Sequence, residues 1–128
     1  MKLTSKALQS RNMMGELQLH DCPEPSIETA ANRILMCMDN PGFEFGDYNN
    51  MTEVDKKLVV IYWKEYDGLR PFKDWREFSA WFVPATNGDI ITRAKRWLHE
   101  HNYIWIKPEV VSKARNQEAR MRNAIKGT

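Results

Sequence analysis

The sequence predicts a mainly α-helical protein, a helical bundle containing a helix-turn-helix or winged-helix-like pair, with one short extended segment. Three observations lead there. Apolar residues recur at three- and four-residue spacing through much of the chain after residue 25. Capping residues and helix breakers bracket the periodic stretches. One run, Tyr103-Ile104-Trp105-Ile106, is short, aromatic and β-branched, as an extended segment requires.

Residues 1–25 lack sustained periodicity and are punctuated by Gly15, Pro23 and Pro25. They read as a flexible N-terminal arm with at most a turn of helix near Leu3–Leu8. Residues 26–107 read as the helical core domain. Its first helix runs from Ser26, an N-cap residue, to about Met38, with Ile27, Ala30, Ala31, Ile34, Leu35 and Met38 on one face. Asp39-Asn40-Pro41-Gly42 stops it.

The loop at 39–51 carries Phe43, Phe45 and Tyr48. These aromatics either fold back onto the core or form a partner-binding loop. Thr52 opens the second helix, with Asp55 three residues on in a capping-box-like position, and Asp67-Gly68 ends it. Val54, Leu58, Ile61 and Tyr62 trace one face, and Val59, Val60, Trp63 and Tyr66 fill much of the rest. A helix apolar around most of its circumference is expected to be the central buried one.

Phe72, Trp75, Phe78, Trp81 and Phe82 mark a third helix that starts at Lys73 or Asp74 and ends before Pro84. Thr86 and Asp89 cap a fourth, whose apolar face is Ile90, Ile91, Ala94, Trp97, Leu98 and His101, with Asn102 as C-cap. Together these make the helix-turn-helix-like pair at 73–101. The extended segment sits where a wing strand would follow. Residues 108–128 read as a basic C-terminal helix carrying Lys113, Arg115, Arg120, Arg122 and Lys126.

Composition narrows the function classes. The 128 residues carry a net charge of only +2, unevenly spread. Residues 26–70 hold five basic and eight acidic side chains, whereas residues 71–128 hold eleven and six. The C-terminal half is therefore the half suited to a polyanion. No apolar run is long enough for a membrane span, and the N-terminal residues lack the apolar stretch of a secretory signal. Cys22 and Cys37 read as reduced thiols, which fits a protein of the bacterial host cytoplasm.

Nothing in the chain has the spacing of a catalytic or metal site. His99 and His101 lie about 200° apart on a helix and cannot chelate one metal. There is no phosphate-cradling glycine loop, nucleophile elbow or thiolate motif. The expectation is a non-enzyme without cofactor or metal. A recognition helix, by contrast, needs an apolar face for its support and long donors on the other. Thr92, Arg93, Lys95, Arg96 and His99 fit that need, and Lys107 and Arg115 would reach the phosphate backbone.

The stretch from Asp89 to Arg122 resembles the C-terminal part of small uncharacterised phage and prophage proteins. The matching residues are Ile91, Arg93, Ala94, Lys95, Arg96, Leu98, Pro108, Glu109 and Val110. The segment Lys56 to Gly68 is similar to the helix that precedes it in those proteins. Residues 71–81 depart from their pattern. The resemblance implies a phage origin and a helix-turn-helix-like fold, and it transfers no functional residue.

The leading expectation is a small phage-type regulatory protein that binds double-stranded DNA, as a monomer or a homodimer. The alternative is a module that binds and inhibits or redirects a host protein, a transcription component or a defence nuclease, through Phe43, Phe45 and Tyr48.

Overall fold

Proline and asparagine, more than serine and threonine, set where the helices begin. The computed structural model describes residues 1–9, 22, 24–40 and 42–126, with the side chains of 121–126 left aside. A two-residue strand β1 (Lys2–Leu3) leads into a short helix α1 (Ser5–Gln9). Helix α2 (Pro25–Asp39) starts one residue before the expected Ser26, with Pro25 in its first turn, where a missing N–H costs nothing. Helix α3 (Met51–Tyr66) is capped by Asn50, whose side-chain oxygen accepts from the Glu53 N–H at 3.0 Å. Helix α4 (Trp75–Phe82) is capped by Asp74, and α5 (Gly88–Glu100) by Asn87. Strand β2 (Ile104–Trp105) and helix α6 (Pro108–Lys126) complete the order. The mainly helical class with one short extended segment is what the sequence predicts.

Helices α2, α3 and α5 form the centre. The most extensive pairing is α2 with α5, and α3 packs against both. Ala30, Ala31, Ile34 and Leu35 of α2, Val54, Leu58 and Tyr62 of α3, and Ile91, Ala94 and Leu98 of α5 are all buried. The small residues Ala30, Ala31 and Ala94 permit close helix approach, so the larger side chains interlock. Arg33 donates to the Tyr62 hydroxyl at 3.2 Å, and the Tyr66 hydroxyl donates to the Arg33 carbonyl, fastening α2 to α3.

Three sequence expectations change. First, residues 1–9 are not a free arm: Met1 and Ala7 are buried, and β1 pairs antiparallel with β2, Lys2 opposite Trp105 and Leu3 opposite Ile104. The extended segment thus pairs with the N-terminal strand. The rest of the arm, residues 10–21 and 23, lies outside the described residues. Second, Phe45 and Tyr48 are buried and Phe43 packs beside them, Phe45 meeting Tyr48 edge-on at 5.2 Å. Phe45 and Tyr48 serve the core, the first of the two roles expected of this loop, and Phe43 is half-buried against it rather than projecting as a partner-binding loop would need. Third, α3 is buried on one face only, since Val60 and Tyr66 are exposed.

The C-terminus of α5 is built with care. His101 and Asn102 leave the helix, and Asn102 takes φ 63°, the left-handed conformation asparagine tolerates better than any other residue with a side chain beyond Cα. The Tyr103 N–H then reaches the Leu98 carbonyl at 2.9 Å and the Asn102 N–H the His99 carbonyl, closing a Schellman motif. Lys6 donates to the His101 carbonyl at 2.7 Å and Thr4 to that of Asn102. Asn102→Val should cost about 1–2 kcal/mol, because a β-branched residue resists that φ, while Asn102→Gly should be neutral. Urea melts of the two variants check this.

Candidate functional site

Helix α5 was expected to show one face to the core and the other to solvent. In the structure two helices flank it, and the second contact changes what its basic residues do. Lys95 is only 5% exposed. Its ammonium donates to Asp55 Oδ1 of α3 at 2.5 Å and to the Met51 sulfur at 3.2 Å. Asp55, which the sequence places in a cap, is therefore the partner of a buried lysine, and Asn50 does the capping. Lys95 is removed from any outward contact surface.

The other expected contacts are dispersed. Arg93 pairs with Glu24 at 3.2 Å, both side chains about half exposed (47% and 51%). Such a pair adds little stability and can be exchanged for another partner. Arg96 projects to solvent without an ion-pair partner among the described residues. Thr92 is half-buried, and its hydroxyl donates to the Asp89 carbonyl. His99 of α5 is half-buried, and its burial, and then the nearby Lys95 and Arg115, hold its pKa below the ordinary histidine value, which disfavours the charged ring. Lys107 sits over the Tyr48 ring at 5.0 Å. Arg115 is exposed on α6. Of the seven expected contacts, Arg96 and Arg115 alone present an exposed cation that no carboxylate of the described residues engages.

The helix-turn-helix-like arrangement also differs from expectation. Helices α4 and α5 exist and are joined by residues 83–87, but the main partners of α5 are α2 and α3, not α4. A helix-turn-helix holds its recognition helix on the preceding helix. Here α4 hangs at the edge of the bundle, and none of its residues is buried.

What α4 does present is aromatic. Trp75 is 76% exposed, Phe82 49% and Val83, just beyond the helix, 83%. Phe78 lies within 5.5 Å of the rings of Trp75, Phe72 and Phe82. The cluster is fixed to the body by a few polar ties. Trp81 donates its indole N–H to the Asp67 carbonyl at 2.6 Å, Trp63 donates to the Thr86 carbonyl at 2.8 Å, and the Thr86 N–H reaches the Asp67 carboxylate at 3.1 Å. Trp63 of α3 meets Trp81 and Phe82 edge-on at 5.3 and 6.0 Å. With the indole N–H groups of Trp63 and Trp81 satisfied internally, these two half-buried rings are fixed in place beneath the exposed Phe82.

The sequence missed this surface because Phe and Trp at helical spacing look the same whether they line a core or an edge. The signal was present in Val83-Pro84, which ends α4 after only eight residues, too short to span the bundle. Among the described residues no group of His, Cys, Asp and Glu could hold a metal ion, and no helix is long and apolar enough to cross a membrane. In comparison with known proteins, the chain matches no family model, no curated protein and no solved structure.

Proposed function

We propose that this protein is a protein-binding module whose contact surface is the aromatic edge formed by α4 and the residue that follows it. The observation that carries the reading is the exposure of Trp75, Phe82 and Val83 on a helix with no buried residue. Contiguous apolar surface of this kind is unusual on a protein that works alone, and tryptophan is the residue most enriched among those that dominate binding energy. Trp63 and Trp81, held by internal hydrogen bonds, form a fixed base for the exposed Phe82 ring, so part of the surface is already ordered before a partner covers it.

The reading as a duplex-DNA binder has less support. It asked for a continuous cationic face on α5, and that face is broken by the Lys95–Asp55 pair, by the Arg93–Glu24 pair and by a half-buried His99 whose charged form is disfavoured. Phosphate binding depends on the number of free cations, so two arginines on separate helices give a weak, salt-sensitive contact.

The test uses a photo-crosslinking amino acid at Val83 of the full chain, in a bacterial lysate treated with nuclease. One protein adduct is expected. Trp75→Ser with Phe82→Ser should remove it, since truncating an interface tryptophan typically costs about 2 kcal/mol or more, roughly thirtyfold in affinity. The variant should keep its fold, as these side chains are exposed. Failure of the unaltered edge to form an adduct rejects the reading. Retention of random duplex DNA that is lost on replacing Arg93 and Arg96 by alanine would put the nucleic-acid reading in its place.

A further inference from the structure

Between α3 and the first turn of α5 lies an apolar hollow of about 470 Å³, lined by Lys56, Val59, Val60, Trp63, Gly88 and Thr92. It shares Lys56 and Val60 with a second hollow that reaches Phe45 and Ile61. It shares Trp63 and Gly88 with a third that lies against Phe82 and Val83. The three form one apolar track across the open face of α3, leading to the aromatic edge of α4.

Two features of the track go beyond packing. The first is Gly88. Its backbone is not in the left-handed region, and a Cβ built there would meet only the Val59 methyl groups at 3.8 and 3.9 Å, an ordinary contact. The fold does not need a glycine here. The missing side chain is what leaves the hollow open.

The second is the charge of the rim. Lys56, Lys57, Val60, Trp63 and Lys64 fall on one face of α3 by helical spacing. Asp55, the carboxylate among the lining residues, is already engaged by Lys95. Glu65 is directed elsewhere, near enough to Cys37 to help raise that thiol's pKa. Lys57 rests over Phe45 at 6.0 Å, and Lys56 and Lys64 have no ion-pair partner among the described residues. The rim is thus cationic around an apolar floor.

We propose that this track holds an amphipathic helix of the protein partner, apolar on the side facing Val59, Val60 and Trp63 and acidic along the flanks that meet Lys56 and Lys64. The inference rests on the reading of the chain as a protein-binding module. A helix laid in a groove uses apolar anchors at three- and four-residue spacing, and rim charges select which helix enters. A second copy of this chain paired by a two-fold axis would bring these lysines against themselves, so the rim disfavours it.

The probe is a fluorescent amphipathic peptide of leucine and glutamate, compared by anisotropy with its leucine–lysine counterpart, with phosphatidylglycerol vesicles and with random duplex DNA. The acidic peptide should bind at least about tenfold tighter than the basic one. Gly88→Leu, which fills the hollow, and Val60→Glu, which charges its floor at an exposed position, should each weaken it about tenfold. Lys56→Glu with Lys64→Glu should reverse the preference between the two peptides. Leu8→Ser, an exposed change on α1 outside both the track and the α4 edge, should leave peptide affinity unchanged. Equal binding of both peptides, indifference to Gly88→Leu and Val60→Glu, or binding of vesicles or duplex DNA alone would overturn the proposal. An adduct at Val83 that persists in Gly88→Leu would leave the α4 surface standing while removing the helix from the track.

Discussion

Asp55→Ala is expected to lower the melting temperature by roughly 10 °C, from a loss of about 2–3 kcal/mol. The reason is the asymmetry of a buried pair. Lys95 is almost wholly covered, so deleting its carboxylate strands an ammonium that water cannot easily reach. The carboxylate itself is one-third exposed, which places the loss toward the low end of what such deletions cause. Lys95→Met removes the charge and keeps the apolar stem that packs between α3 and α5, so it should change stability by less than about 1 kcal/mol. Asp55→Ala in the Lys95→Met background should then add little. Thermal melts of the two single variants and the double variant give the coupling directly. If Asp55→Ala and Lys95→Met prove equally harmless, the pair is not formed in solution, and Lys95 returns to the outward face of α5. The same result would restore the cationic surface that a DNA contact needs.

Leu98→Ala should be the most damaging single truncation, at about 3–5 kcal/mol. Leu98 is fully buried on α5, and its carbonyl receives the Tyr103 N–H that turns the chain toward β2. The residue therefore supports both the α2–α5 contact and the close of the helix. The midpoint of urea unfolding should fall without a change in slope, since the surface exposed on unfolding is nearly the same. A loss under about 1 kcal/mol would mean that α5 is not seated against α2 and α3 as described. Set beside Trp75→Ser, which is expected to leave stability nearly unaltered, the two substitutions separate the residues that hold the fold from those that face outward.

The helices were legible in the sequence because each leaves two marks, a periodic stripe and a cap. Ile27 through Met38 and Ile91 through Leu98 were placed on the correct faces by spacing alone. Cap positions shifted by one or two residues, since Asn50 and Asn87 out-compete the neighbouring Thr52 and Thr86 for the orphan N–H groups. Tertiary facts were harder to see. A helical wheel gives α5 one inner face, and it cannot report that a second helix lies against Lys95. A lysine with a four-carbon stem is compatible with either environment. Phe45 and Tyr48 sit in a loop rich in glycine and asparagine, which locally resembles a solvent-exposed tip, yet their burial depends on contacts with residues far along the chain. The apolar residues Val59, Val60 and Trp63 suggested a helix buried all round. In the structure Val59 and Trp63 are only partly covered, and Val60 is open, over a hollow that Gly88 does not fill.

Helix α4 is attached to the bundle by a few hydrogen bonds and one tryptophan, and it lends no side chain to the interior. Replacements along the exposed face of this helix should therefore leave the three central helices intact, so the outer surface can change without disturbing the residues that hold the fold.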